Sequence, residues 1–325
     1  MTQDEQSALN VSLTPDNISG VEPPQSWIAK NGFPYWLLAT AWIGIVFVMF
    51  NIVGGIVMAV LAAFTVDDPS NMELLLAAMQ ENLDVMFIGN TSGQIVSMAL
   101  ATFIVVLLTS VRGQRNLYLR FQLPPRVLLY IGASLLLFLV GQPLVQFAGW
   151  LNSFVPVPEF MRELTDQMVE MMTRFLTSDT SVFVALFHIA LVPAVCEELL
   201  FRGFFMRSLE KSTNVWLALV ISSAVFSLFH LDISGLLPRF LLGLFLGYIT
   251  LKSNSIIPAM VGHFTNNALY VILAKSYPEL ASQESLPDVT ATNILILIGG
   301  IAATAGVIYF MHLNRIREEE TEIVH

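Results

Sequence analysis

The sequence predicts an all-α, polytopic membrane protein with about eight transmembrane helices and one or two amphipathic helices at the membrane surface. Of its 325 residues, 55% are apolar and only 12% are charged, whereas about 25% of the residues of a soluble domain are charged. The mean hydropathy is +0.69. Several uninterrupted apolar stretches also reach the ~20 residues that a helix needs to cross a bilayer.

The apolar stretches predict the positions of the eight spans. In chain order these cover approximately residues 35–63, 89–111, 127–150, 181–206, 214–231, 235–251, 255–274 and 292–312. In the sixth span Gly243 and Gly247 form a GxxxG pair, which indicates close packing against a neighbouring helix.

The spans divide the chain into four expected regions. Residues 1–34 form a disordered cytoplasmic tail, and 35–175 hold the N-terminal transmembrane and surface helices. Residues 180–275 form a core in which polar residues are concentrated. The last transmembrane helix and a cytoplasmic C-terminal tail occupy 276–325.

Two segments between the spans have amphipathic patterns. In "PEFMRELTDQMVEMMTRF" apolar residues recur at intervals of three and four, namely Met161, Leu164, Met168, Met171 and Phe175. The opposite face is acidic, with Glu159, Glu163, Asp166 and Glu170. This pattern predicts a helix that lies on the membrane surface or over the mouth of a cavity. The segment "NMELLLAAMQENLDVM" is similar.

Charge and cysteine content exclude several classes of protein. The net charge of −10 argues against a nucleic-acid partner. The single cysteine, Cys196, excludes an internal disulfide framework and a cysteine-rich metal site, and we interpret it as a buried thiol. Lys and Arg are concentrated in the loops of one side, which predicts that both termini are cytoplasmic. We expect the plasma (inner) membrane as the location, and the sequence leaves the oligomeric state open.

The segment "CEELLFRG" places three charges inside the fourth span, where each costs about 2.5–3.5 kcal/mol. Glu198 and Arg202 lie four residues apart, so they share a helix face and can pair. Glu197 is rotated from Glu198 by about 100° and is left for another role. This asymmetry suggests that Glu197 takes part in the chemistry and that Glu198 and Arg202 support it. A buried ion-pair network, or a span that ends before Glu197, is the alternative.

Two later spans carry further polar residues. The fifth contains "FSLFH" with His230, and the seventh contains "HFTNN" with His263 and Asn267 four residues apart on one face. We interpret His188, in the fourth span, as a packing residue. A buried glutamate can act as a general base, histidine can share in activating water, and His or Asn can donate to an oxyanion. These groups suit hydrolysis of an amide bond by water.

At these residues the chain resembles the CAAX prenyl protease type 2 family, also called the CPBP (CAAX processing and bacteriocin-processing) intramembrane proteases. The family pattern is EExxxR, then FxxxH, then HxxxN or HxxxD. The sequence has Glu197-Glu198 with Arg202, Phe226 with His230, and His263 with Asn267, in that order. The resemblance covers about residues 180–275 and implies that this region is the catalytic core.

The resemblance also implies a role for each matching residue. Glu197 and His230 would activate the attacking water, and His263 and Asn267 would stabilise the oxyanion. Glu198 and Arg202 would order the site. The expected enzyme is an intramembrane endopeptidase that acts on membrane-associated peptides or proteins, either prenylated CAAX tails or bacterial membrane peptides. We favour a mechanism without a cofactor.

Some alternatives stay open at this point. A divalent metal such as zinc, held by Glu197, His230 and His263, is compatible with the ligand types. A non-catalytic scaffold or bacteriocin-immunity protein with the same fold is the main alternative function. A proton-relaying transporter is a third, although the sequence shows no repeat symmetry.

The depth of His230 in the membrane conflicts with this reading. At 1.5 Å per residue, Glu197 lies about 15 Å and His263 about 12 Å from the cytoplasmic ends of their helices, but His230 about 24 Å. A straight fifth helix would therefore separate His230 from Glu197. The site requires a tilt, or a bend at "LDISGLLP".

Overall fold

The computed structural model describes residues 24–277 and 290–315. Within these residues every regular element is a helix, which confirms the predicted all-α class. The first seven helices are α1 (Trp27–Lys30), α2 (Tyr35–Ala63), α3 (Met72–Glu81), α4 (Leu83–Thr109), α5 (Arg115–Tyr118), α6 (Val127–Val140) and α7 (Gln142–Asn152). The others are α8 (Glu159–Thr177), α9 (Val182–Glu210), α10 (Val215–Leu228), α11 (Leu236–Ser253), α12 (Ile257–Ser276) and α13 (Ala291–Leu313).

Two of the long helices contain wider, π-helical turns. In α4 these turns cover Gln94–Leu100, and in α9 they cover Leu186–Leu191 and Leu199–Met206. A π-helical turn widens the helix and changes which side chains face a neighbouring helix, and such turns are frequent at functional sites. Here they occur on two helices that pack against each other.

The number of membrane spans is close to the expected eight. The exact number depends on whether the short helix α10 and the more polar helix α12 are counted as spans. Five helices, α2, α4, α9, α11 with its preceding turn, and α13, are long and apolar enough to cross a membrane. A sixth span results if α6 and α7, which meet at 47°, count as one. Helix α10 has 14 residues and is short for a span. Helix α12 has 20 residues but carries polar site residues.

The exterior of the helical assembly is apolar, as a bilayer requires. On α2, Ile45, Val48, Ile52 and Ile56 are 46–59% exposed and recur at intervals of three and four residues. They form a stripe that would face the lipid chains. On α13, Leu295 is 70% exposed. These surfaces support an integral membrane protein.

Within the expected disordered tail, residues 1–34, the structure describes residue 24 onward to the first long helix and shows the short helix α1. Residues 1–23 lie outside the described residues. Ser26 caps α1 by accepting a hydrogen bond from the Ala29 amide, and it also bonds the Tyr35 hydroxyl at 2.7 Å. Ile28 is 1% exposed. This part of the expected tail is therefore packed against the protein.

Helix α9 lies in the interior and contacts α4, α10 and α12. In its C-terminal half, Leu200, Phe201, Phe204 and Phe205 are at most 2% exposed although they point in different directions around the helix. A helix segment that is buried all round lies in the protein interior. The charges of Glu197, Glu198 and Arg202 therefore lie within protein and not against lipid.

Gly243 and Gly247 bring α11 into close contact with α10, as the GxxxG spacing predicts. A Cβ atom on Gly243 would lie 2.9 Å from the Ser223 Cβ and 3.0 Å from the Ser223 Cα. A Cβ on Gly247 would lie within van der Waals overlap of the Leu219 side chain. At Gly243 only hydrogen fits while the helices keep this separation, whereas at Gly247 the Leu219 side chain would have to move.

We expect Gly243→Ala to destabilise the protein, because the new methyl group meets backbone atoms that cannot move away. Overpacking of this kind costs about 1–3 kcal/mol. Gly44→Ala is the matched control, because nothing lies within 4 Å of a Cβ at Gly44. Alanine is favoured over glycine in a helix by up to about 1 kcal/mol, so the control is expected to be neutral or stabilising. Thermal unfolding in detergent compares the two variants, and equal midpoints would contradict close packing at Gly243.

Candidate active site

The two adjacent glutamates of α9 have different surroundings. Glu198 is fully buried, whereas Glu197 is 8% exposed and lines a cavity of about 920 Å³. Consecutive helical residues point about 100° apart, so the two carboxylates face different neighbours. The structure therefore separates Glu197 from Glu198 as the helix geometry predicts.

Glu198 and Arg202 form a buried ion pair along the helix. Arg202 Nη1 donates to Glu198 Oε1 at 2.9 Å, and Arg202 Nη2 donates to the Gly243 carbonyl at 3.2 Å. The guanidinium also lies 4.3 Å from the centroid of the Phe226 ring, which favours a cation. Arg202 is thus held by three elements, α9, α10 and α11.

His263 receives its orientation from the same carboxylate. Its Nδ1–H donates to Glu198 Oε1 at 2.9 Å, and its Nε2 lies 4.0 Å from Glu197 Oε2. A hydrogen bond at one ring nitrogen determines which nitrogen is left for chemistry. Glu198 therefore turns Nε2 of His263 towards Glu197. The sequence gives no sign of this contact, because it joins residues 65 positions apart.

Glu197 has an available carboxylate oxygen. Its Oε2 atom is buried and has no hydrogen-bond partner among the described residues. A buried carboxylate without partners is costly, so such an oxygen is expected to serve a ligand or a water molecule. Its nearest basic group in the site is Nε2 of His263.

His230 lies just beyond the end of α10 and lines the same cavity as Glu197. The helix begins at the cap Asn214 and ends at Leu228, and Leu231 has a φ of +54°, in the left-handed region. A 3₁₀ turn at Ile233–Gly235 then leads into α11. The chain thus turns near "LDISGLLP", which is one of the two expected ways for His230 to reach the site.

The ring of His230 is fixed by the end of its own helix. Its Nδ1–H donates to the Phe226 carbonyl at 2.9 Å, so Nε2 is the nitrogen left for the cavity. Phe226 lies between the two histidines, with ring centroids 5.2 Å from His230 and 6.0 Å from His263. Both rings are in edge-to-face contact with it.

Asn267 lies on the cavity wall within a chain of side-chain amides. Its Nδ2 donates to the Ile189 carbonyl at 3.0 Å, and its Oδ1 accepts from Asn266 Nδ2 at 3.1 Å. Asn266 in turn accepts from Gln142 Nε2 at 3.2 Å. These contacts fix the amide and leave one N–H of Nδ2 for a ligand. Asn266 and Gln142 were not singled out from the sequence, where they are isolated polar residues in apolar spans.

One cavity brings together all four residues expected to be catalytic. Its wall includes Glu197, His230, His263 and Asn267, and its other lining residues are largely apolar. The volume of about 920 Å³ lies within the usual range of sites for organic ligands. His188 also lines the cavity, and its Nδ1 bonds the Thr91 hydroxyl at 2.6 Å. His188 therefore packs against a neighbouring helix, as expected, and also lines the cavity.

The surface helix α8 covers part of this cavity. Leu164, Met168, Met171 and Met172 line it from one side, which agrees with the expectation of an amphipathic helix over its mouth. Methionine side chains are flexible and adapt to apolar ligands of different shapes. The cavity is therefore suited to an apolar or lipid-bound substrate segment.

Two polar contacts of Asp232 connect the turn after His230 to α8 and to α11. Thr165 donates to Asp232 Oδ1 at 3.2 Å, and Arg239 Nη1 lies 2.6 Å from Asp232 Oδ2. Burial raises the pKa of Asp232, but Arg239 and the hydrogen bonds from Thr165 and Ser234 outweigh it and hold this pKa below its usual range. Asp232 is therefore ionised at neutral pH and can accept from both Thr165 and Arg239. Arg239 also lines the cavity.

The geometry does not match a metal site with three protein ligands. Within the described part of the chain, no three His, Cys, Asp or Glu side chains converge as a bound metal requires.

Comparisons with known proteins find a family model that matches the region of the site. Residues 179–269 match the family model described as "Type II CAAX prenyl endopeptidase Rce1-like", which confirms the resemblance over the core. The matched span includes Glu197, Glu198, Arg202, His230, His263 and Asn267. No solved structure matches the chain significantly.

A curated bacterial protein supports the same class. The chain is 25% identical over 112 residues to the Bacillus subtilis (strain 168) protein named "Putative membrane peptidase YdiL". The aligned part covers 34% of this chain and 44% of that protein, so the chain spans less than half the length of this relative. Together the two matches support a membrane peptidase.

We expect Arg202→Met to destabilise the protein strongly, because it leaves Glu198 buried without its cation. Breaking a buried ion pair in this way costs about 3–5 kcal/mol. Arg239→Met is the matched control, because its ion pair with Asp232 is partly exposed, with the arginine side chain 30% accessible. Exposed pairs contribute at most about 1 kcal/mol. Thermal unfolding in detergent measures both, and an equal loss in the two variants would contradict the role given to the Arg202 pair.

Proposed function

We propose that this chain, whose core matches the type II CAAX prenyl endopeptidases, is an intramembrane endopeptidase that hydrolyses a peptide bond with a water molecule activated by Glu197 and His230. The observation that carries the proposal is the unpartnered Oε2 of Glu197, on the wall of a cavity that also holds His230, His263 and Asn267. A buried base beside two oriented histidines is the arrangement that water-mediated amide hydrolysis needs.

The first step is attack of water on the substrate carbonyl. Glu197 Oε2 accepts one proton of the water, and His230 Nε2 accepts a hydrogen bond from the other. The water oxygen forms a bond to the carbonyl carbon, and the carbonyl oxygen becomes an oxyanion. A positioned general base of this kind contributes about 10²–10⁴-fold to the rate.

The oxyanion is stabilised by His263 and Asn267. Nε2 of His263 donates when the ring carries both protons, and Asn267 donates the remaining N–H of its amide. Preorganised donors in a site without bulk water are a large source of rate enhancement. Glu198 and Arg202 act indirectly, by holding His263 in place.

Collapse of the intermediate completes the reaction. Glu197 returns the proton to the nitrogen of the leaving amine, the C–N bond breaks, and a carboxylic acid and an amine are released. Each proton taken from water is accounted for, and the cycle uses no cofactor. The proposal is therefore a glutamate-type peptidase and not a metalloendopeptidase.

The proposed substrates are membrane-associated peptides or proteins, either prenylated CAAX tails or bacterial membrane peptides. The apolar lining and the methionines of α8 support a substrate with an apolar segment. We place the enzyme in the plasma membrane with both termini cytoplasmic, on the basis of the loop charges.

The test is cleavage of a quenched-fluorescent peptide, either membrane-tethered or farnesylated, by the purified protein in detergent. We expect Glu197→Gln to lower kcat by at least about 10²-fold, because the amide cannot accept the proton. His263→Ala is expected to lower kcat by a similar factor, through loss of an oxyanion donor. Two exposed residues outside the site provide the matched controls, Glu163→Gln and His312→Ala, which are expected to retain full activity.

Assays with and without a chelator distinguish a glutamate-type peptidase from a metalloendopeptidase. We expect activity to survive chelation, and loss of activity that zinc restores would instead show a metalloenzyme. A protein that cleaves none of the peptides, while Glu197→Gln still functions in cells, would contradict the enzyme and favour a scaffold.

A further inference from the structure

Gln94 is a buried polar residue that the proposed mechanism does not use. It is the first residue of the π-helical segment Gln94–Leu100 in α4, and it is 6% exposed. It lies on the wall of the same cavity as Glu197 and His263. It also falls outside the residues matched by the family model.

The amide of Gln94 is not satisfied by the protein. Its Oε1 has no hydrogen-bond partner within the described part of the chain. Gln142 and Asn267, two other amides on the wall, each donate to a backbone carbonyl. An unpaired buried amide oxygen destabilises the folded protein, and in an apolar cavity it indicates an absent partner.

The position of Gln94 relative to Glu197 follows from the packing of α4 on α9. The N-terminal part of α4 contacts the N-terminal part of α9, and their later parts also contact each other in order, so the two helices run parallel. The hydrogen bond between Thr91 and His188 sets their register. If this register continues for three residues on both helices, Gln94 is level with Leu191.

This register places Gln94 at a short distance from the reacting bond. Leu191 precedes Glu197 by six residues, which corresponds to about 9 Å along the helix axis. An extended peptide advances about 3.3 Å per residue, so it covers this distance in about three residues. A substrate strand that runs along α9 through the shared cavity, with its scissile bond at Glu197, would therefore pass Gln94.

We propose that Gln94 docks the main chain of an extended substrate peptide about three residues from the scissile bond. A carboxamide presents one acceptor and one donor side by side, and it can pair with the N–H and the C=O of a substrate backbone. Such recognition is independent of the substrate side chains. The inference rests on the proposed peptidase function and adds a subsite to it.

The experiment uses a series of peptide substrates, each N-methylated at a different backbone amide. We expect Gln94→Leu to raise KM about tenfold and leave kcat unchanged, because two neutral hydrogen bonds to the bound peptide are lost. In the wild type, N-methylation at one position should raise KM, and in Gln94→Leu the same methyl group should have no further effect. This coupling at one position is a result that general damage to the structure would not produce.

Ser97→Ala is the matched control. Ser97 is buried on the same helix, its hydroxyl has no partner within the described residues, and it is absent from the cavity wall. We expect this variant to keep the wild-type KM and the wild-type N-methyl profile. Thermal unfolding in detergent shows whether Gln94→Leu is folded, and Gln94→Met replaces it if it is not.

Two results would overturn the docking role. One is an unchanged KM in Gln94→Leu, and the other is an N-methyl profile that keeps its wild-type shape in that variant.

Failure of the peptidase function itself would give a different pattern. If the wild type cleaves no peptide, binding of the same series to Glu197→Gln, with and without Gln94→Leu, is followed by fluorescence anisotropy. Coupling between Gln94 and one N-methyl position would then support the docking site without hydrolysis. Equal affinities throughout would reject it.

Discussion

The site depends on one carboxylate oxygen, Oε1 of Glu198. This atom accepts from Arg202 Nη1 and from His263 Nδ1, both at 2.9 Å. A buried charge is tolerated only when it is paired and hydrogen-bonded. The pairing also ties α9 to α12, and through the Gly243 carbonyl it ties α9 to α11. The same contacts that make the charge tolerable within the membrane therefore align the helices that carry the polar residues of the cavity.

This arrangement divides two adjacent glutamates into a supporting residue and a free one. In both glutamates Oε2 has no partner among the described residues. They differ because Glu198 is bound through Oε1 to Arg202 and His263, whereas Glu197 lines the cavity. The division needs no special loop or cofactor, because a helix directs neighbouring side chains about 100° apart. Gly243 also contributes to the arrangement. Because it has no side chain, α10 can approach α11 closely, and Phe226 of α10 lies against the Arg202 guanidinium.

The features that depend on spacing within one helix could be predicted from the sequence. The all-α class, the Glu198–Arg202 pair, the amphipathic α8 and the glycine contact of α11 all follow from helical periodicity. Contacts between helices could not be predicted in the same way. Three features depend on the crossing and register of separate helices, namely the bond from His263 to Glu198, the chain of amides at Asn267, and the Gln94 Oε1 that has no partner among the described residues. The early end of α10 depends on Leu231, whose left-handed backbone has no signature in the residue type.

The short helix α10 has a consequence for the surrounding lipid. Its 14 residues span about 21 Å, against a hydrocarbon thickness of about 30 Å. Trp216, Leu217, Val220 and Leu228 are exposed on it, so this face meets the acyl chains directly. Lipids next to a short hydrophobic face thin the bilayer locally. A bilayer that adapts to this face would be thinned beside the turn that carries His230, so bilayer thickness would affect the surroundings of the site.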